Sequence, residues 1–118
     1  MVEEYQDTNL DRTYAALSDP TRREILFRLM EHEARVTELA EPFDMSFNAV
    51  SKHVRVLERA GLVRREVRGR EHYLSLDATP LMEASDWIDT YRVFWEKRLG
   101  HLESFLRDKK TRKNGRTV

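Results

Sequence analysis

Residues 45–73 constrain the fold of this chain more than any other stretch. Their first half carries both a start and a stop signal for one helix. Ser46 is placed to cap it, because its hydroxyl can accept a bond from a free amide of the first turn. Gly61 falls where the chain must turn left-handed to leave the helix, which glycine does without a Cβ penalty. Between them Val50, Val54 and Leu57 recur at helical spacing and predict one buried stripe. The opposite face shows Asn48, Ser51, Lys52 and Arg55, with His53 near the boundary. These are donors suited to phosphate oxygens and base edges. The second half predicts a hairpin. Leu62-Val63 and Val67 lead to Gly69, and Leu74, Ser75 and Leu76 then alternate apolar and polar. Arg65, Arg68 and Arg70 crowd the hairpin and its tip.

The chain has 118 residues, the size of one small domain with a modest core. Cysteine is absent, which excludes disulfides, thiolate metal sites and cysteine nucleophiles. The sequence has no apolar run of membrane-spanning length and no signal-peptide pattern at its start, so a soluble, cytoplasmic protein without a membrane partner is expected. Lys plus Arg and Asp plus Glu both total 21, a formal net charge of zero, which by itself does not suggest a polyanionic partner. The distribution says more. Up to Pro20 the acids Glu3, Glu4, Asp7, Asp11 and Asp19 face only Arg12. In residues 46–72 the bases Lys52, Arg55, Arg59, Arg64, Arg65, Arg68 and Arg70 outnumber Glu58, Glu66 and Glu71. A solvated hairpin face is the competing explanation for that excess.

The rest of the chain falls into place around this stretch. Residues 1–9 are acidic and polar and are predicted to fray. A short helix is expected over residues 10–17, with Tyr14 and Leu17 on one side. Asp19 and Pro20 make a cap-then-proline start for a second helix over residues 20–31, whose core contacts are Ile25, Leu26 and Leu29. Arg35-Val36 suits a minimal strand pairing with the hairpin. Thr37 is expected to cap a third helix over residues 38–43, with Pro42 awkward at its end. The third and fourth helices form a helix-turn-helix pair, the fourth being the recognition helix. After the hairpin, Asp77-Ala78-Thr79-Pro80 repeats the capping signal, and one long helix is predicted over residues 80–107. Leu81, Ser85, Ile88, Arg92, Trp95, Leu99, Leu102 and Leu106 form a heptad-like seam on it. Trp87, Tyr91, Phe94 and Phe105 lie beside that seam. One apolar face can cover the chain's own domain; the other calls for a second subunit. Residues 108–118 form a basic tail, expected to be disordered. No internal repeat or domain boundary is visible. The predicted fold is mainly α with a small antiparallel β-hairpin wing, in the order α-α-α-α-β-β-α. This is a winged helix-turn-helix over residues 10–107, dimeric through its first and last helices.

Several ordered motifs resemble the ArsR-type repressors. Leu17-Ser18-Asp19-Pro20-Thr21-Arg22 resembles their opening signature, and Val36-Thr37-Glu38-Leu39-Ala40 their third helix. The run from Ala49 through Lys52-His53-Val54 to Gly61-Leu62-Val63 is similar to their recognition helix and turn. Arg68-Gly69-Arg70 and Tyr73 match their wing. The resemblance implies a homodimer on double-stranded operator DNA of approximate two-fold symmetry, acting as a repressor. Phe47 and Asn48 depart from it, standing where relatives often carry polar or small residues. A phenyl ring cannot hydrogen-bond a base edge but can touch a thymine methyl.

The candidate DNA contacts are therefore Ser46, Phe47, Asn48, Ser51, Lys52, His53 and Arg55 in the major groove, with Arg65, Arg68 and Arg70 on the wing. Ser51 and Lys52 suit phosphates; Asn48 and Arg55 suit bases. The competing readings are a solvated helix face, with Ser46 only capping, and a hairpin made basic for solubility. The candidate dimer contacts are Tyr14, Leu17, Trp87, Tyr91, Phe94, Trp95, Leu102 and Phe105. A small-molecule effector pocket among Trp87, Tyr91, Phe94 and Trp95 is the alternative to their packing at that interface. Metal sensing is not expected, and no cofactor is. The third-helix thiolate positions of sensing relatives fall at Arg35 and Thr37, and their Asp-x-His pattern fails, since Ile88 stands two residues after Asp86 and Tyr91 two residues after Asp89. Catalysis is not expected either. His32, His53, His72 and His101 are scattered, with no nucleophile–base pair or phosphate loop near them. A winged-helix module that binds protein instead of DNA is the remaining alternative, and the charge at Lys52, Arg55 and the wing argues against it.

Overall fold

The computed structural model describes the backbone of residues 2–117 and the side chains of residues 9–109. Its elements are α1 (Val2–Leu17), α2 (Pro20–Glu31), β1 (Ala34–Arg35), α3 (Val36–Ala40), α4 (Phe47–Arg59), β2 (Val63–Arg68), β3 (Glu71–Leu76), α5 (Thr79–Asp89) and α6 (Arg92–Thr117). The chain divides into two units, Met1–Ala84 and Ser85–Val118, where none was expected. The backbone is already helical at Val2 and still helical at Thr117. α1 thus begins well before the helix expected over residues 10–17, and the last helix continues past the end expected at residue 107. The frayed start and disordered tail are not seen in the backbone of residues 2–9 and 108–117; the side chains of residues 1–8 and 110–118 lie outside the described residues.

The α1–α2 corner is built by its own sequence. Asp19 caps α2 by accepting the Arg22 amide at 3.1 Å, with Pro20 at the first helical position. The last carbonyls of α1, orphaned at the helix end, are taken up from the same few residues. Arg22 donates through Nε to the Ala16 carbonyl at 2.7 Å and through Nη2 to that of Ala15 at 3.0 Å. Ser18 Oγ reaches Ala15 at 2.6 Å, and Arg23 reaches Leu17 at 2.7 Å. A cation at a helix C-terminus also opposes the helix dipole favourably.

Three further boundaries differ from expectation. The minimal strand is Ala34–Arg35, one residue earlier; Ala34 lies opposite Leu74 and Arg35 opposite Tyr73. α3 starts at Val36 with Arg35, not Thr37, at its N-cap position, because the Glu38 carboxylate accepts the Arg35 backbone N–H at 3.2 Å. It ends at Ala40, clear of Pro42. The long C-terminal helix is two helices. Thr90 Oγ1 donates to the Trp87 carbonyl at 2.7 Å and the Tyr91 amide bonds Ile88 at 3.0 Å, so the ladder tightens and stops there.

α4 leaves through a Schellman turn. The Leu62 amide bonds the Leu57 carbonyl, the Gly61 amide bonds that of Glu58, both at 3.0 Å, and Gly61 has φ 75°. The three-stranded antiparallel sheet has the order β1-β3-β2. β2 and β3 pair from Val63↔Leu76 to Arg68↔Glu71, leaving a two-residue loop opened by Gly69 at φ 63°. The core of the first unit joins Ile25, Leu26 and Leu29 of α2, Val36 and Leu39 of α3, and Val50, Val54 and Leu57 of α4. Leu62 and Leu74 close it from the sheet side. Burying each such side chain contributes about 1.5–3 kcal/mol, which is what fixes the rotation of α4 about its axis.

Candidate nucleic-acid interface

Val50, Val54 and Leu57 are wholly buried, so the helical wheel turns Asn48, Lys52, Arg55 and Arg59 to solvent. Ser46 accepts the Ala49 amide at 3.1 Å and is itself exposed. Ser51 is half-buried on the flank toward the sheet. Lys52, Arg55 and Arg59 have no hydrogen-bond or ion-pair partner among the described residues, and neither does Arg70 at the hairpin tip. Arg59 was missed in the sequence although its spacing from Lys52 and Arg55 puts it on their face. A groove of about 490 Å³ runs between α4 and the sheet, lined by Thr37, Phe47, Ser51, Arg55, Arg70 and His72 among others.

His53 departs from the expected set. Its Nδ1 lies 3.3 Å from Arg22 Nη1 and 3.9 Å from Asp19 Oδ1. A guanidinium only donates, so in a hydrogen bond with Arg22 the ring nitrogen is the accepting partner. The ring thus belongs to the α1–α2 corner, on the opposite side of α4 from Ser51 and Arg55.

The wing arginines separate by partner. Arg65 donates to both oxygens of Glu58, at 2.7 and 3.2 Å, and to His72 Nδ1 at 3.1 Å, tying β2 to α4. The Glu58 hydrogen bonds raise its already high pKa further. Arg68 forks onto Glu33 at 2.7 and 3.1 Å, reaches Glu66 at 3.0 Å, and lies 4.5 Å over the Tyr73 ring. Its pKa is raised by Glu33 first and Glu66 second, while Glu66 is lowered by the Arg68 bond. Arg35 bridges Glu38 at 2.8 Å and Glu71 at 2.9 Å, and Glu71 also accepts the Tyr73 hydroxyl at 2.7 Å. Of the three wing cations expected to face DNA, Arg70 alone keeps an uncompensated charge. Glu33 and Glu58 escaped sequence reasoning because their partners are distant in the chain or on another element.

The expected dimer residues are split between the two units. In the first unit, Leu17 packs partly buried against the core and the Tyr14 hydroxyl donates to the Ala84 carbonyl at 3.4 Å. In the second, Trp87, Tyr91, Phe94, Trp95, Leu102 and Phe105 are all between 42% and 63% exposed. The Trp87 and Tyr91 rings meet edge to face, 5.4 Å apart.

A helix pair with its second helix presented outward, backed by a β-hairpin, defines a winged helix-turn-helix. Within that class the chain belongs to the arsR family of bacterial regulatory proteins, whose pattern matches residues 19–65. It is 32% identical over 79 residues to the transcriptional repressor SdpR of Bacillus subtilis, covering 67% of this chain and 88% of that one. It is 38% identical over 89 residues to the HTH-type transcriptional regulator Rv2034 of Mycobacterium tuberculosis, covering 75% and 80%. The solved ArsR-like transcriptional regulator from Rhodococcus sp. RHA1 superposes with a TM-score of 0.67 at 30% identity, covering 83% of this chain and 92% of that one.

Proposed function

We propose that this chain is a homodimeric, sequence-specific DNA-binding repressor that occupies a pseudo-palindromic operator in the cytoplasm. The observation that carries the reading is the row of exposed cations Lys52, Arg55 and Arg59 along the outer face of α4, with Arg70 beside it at the wing tip, all four without a hydrogen-bond or ion-pair partner among the described residues. Lys52 and Ser51 take phosphates; Asn48 and Arg55 take base edges in the major groove; Arg70 flanks the adjacent minor groove. Arg65 and Arg68 hold the wing against the rest of the unit. The exposed apolar residues of the second unit support a paired molecule, which would set two recognition helices about 34 Å apart in successive major grooves. Among the described residues no helix is long and apolar enough to cross a membrane.

Fluorescence anisotropy with the duplex upstream of the chain's own gene, against a scrambled control and across a salt series, tests this. Tight binding of the upstream duplex alone, at two protomers per site and weakening steeply with salt, is the expected result. Absence of binding at low salt would overturn the reading.

A further inference from the structure

We propose that Phe47 reads the 5-methyl group of a pyrimidine in the major groove, and so sets the base preference at one end of the recognition helix. The inference rests on the DNA-binding reading and deepens it. Phe47 is the first residue of α4 and half its surface is in water, at 50% exposure. Its neighbours along that flank are polar: Ser51 lies one turn on, Arg55 two turns on, and all three line the same groove. A phenyl ring offers no donor or acceptor, so it gains nothing from base-edge hydrogen bonds or phosphates. The apolar feature that unmodified DNA presents in the major groove is the C5-methyl of thymine, and 5-methylcytosine presents the same group. The ring therefore has one chemically suitable target on the surface that its helix addresses. Arg55 supplies the complementary reading, a fork suited to guanine O6 and N7. Eight residues of helix separate the two, about 12 Å of rise, against a base step of about 3.4 Å. Each half-site should then carry a 5-methylpyrimidine and a guanine about three or four base pairs apart.

The test starts by selecting a preferred duplex from a random pool with the full-length protein. That duplex is then synthesised with each thymine replaced in turn by uracil, which keeps the hydrogen-bonding pattern and removes one methyl. A parallel set carries cytosine or 5-methylcytosine at the position that responds. Loss of one methyl contact should weaken the wild-type protein about fourfold per half-site. Phe47→Ala should bind the thymine and uracil duplexes equally, while Phe47→Leu, still apolar, should keep the preference. A gain on methylating cytosine would assign the methyl itself as the ligand; a response to thymine only would restrict the assignment to thymine. A wild-type protein indifferent to uracil at every position sinks the proposal. So does a thymine preference that Phe47→Ala leaves intact, which would place the sensing elsewhere, for instance at Met45. Failure to enrich any duplex from the pool sinks the DNA-binding reading itself, a result distinct from an enriched duplex that ignores the methyl.

Discussion

At the residue scale, carboxylate partners decide which cations are available to a polyanion. Among the described residues Lys52 and Arg55 have none, and both are exposed. Lys52→Ala should weaken binding to all duplexes alike and lower the magnitude of the salt slope by about 1, read from affinity against salt. Arg55→Ala should instead relax preference at one base pair, costing about 1–3 kcal/mol on the preferred duplex and little on others. Asp77 acts on stability at the start of α5. It accepts the Thr79 amide at 3.0 Å at the start of α5 and pairs with Arg64 at 2.9 Å. The bonds from Thr79, with Arg64 adding less, hold its pKa below the ordinary aspartate value. A depressed acid contributes stability above its unfolded pKa and loses it as pH falls through the folded one. Asp77→Ala should therefore cost about 1 kcal/mol at neutral pH, with the gap from wild type narrowing below about pH 4 in denaturant midpoints.

At the scale of elements, the wing is held by ion pairs that reach outside it. Arg68 reaches Glu33 across 35 positions, and Arg35 ties β1 to both α3 and β3. Arg70→Ala should reduce the salt slope of DNA binding, whereas Arg68→Ala should leave the slope nearly unchanged and speed hydrogen exchange in the hairpin amides. Equal slope changes for the two variants would mean that the Glu33 pair opens on binding. Local signals made α4 legible: Ser46 and Gly61 act on their own neighbours, and the Val50, Val54, Leu57 stripe follows from helical period. The end of α5 was not legible. Thr90 and Tyr91 are neither glycine nor proline, and a hydroxyl taking the Trp87 carbonyl leaves the apolar periodicity intact on either side. The side that His53 faces was hidden for a similar reason. Its position beside the buried stripe allows either direction, and Arg22, far away in sequence, decides it. Likewise the count of wing arginines was readable but their neutralisation was not, since that depends on which carboxylates the fold brings near.

At the scale of the whole molecule, the second unit exposes Phe94, Leu99, Leu102 and Phe105, each more than half accessible. Exposed apolar surface of this extent on a charged helix marks an association surface. Introducing Leu102→Asp together with Phe105→Asp should shift the protein from dimer to monomer in sedimentation velocity. It should also weaken operator binding far more than it changes the circular dichroism of the first unit. An unaltered sedimentation coefficient would place the dimer contacts elsewhere. The clamps described around the wing also bear on how recognition could be moved between relatives. A graft of residues 46–76 alone would carry the base-facing side chains and the hairpin, yet leave behind Glu33 and Arg35, which pair with Arg68 and Glu71, and the Asp19–Arg22 corner that orients His53. The smallest cassette that travels with its own supports runs from the α2 cap at Asp19 to the α5 cap at Asp77, and swaps made at narrower borders would import the letters of a specificity without the frame that aims them.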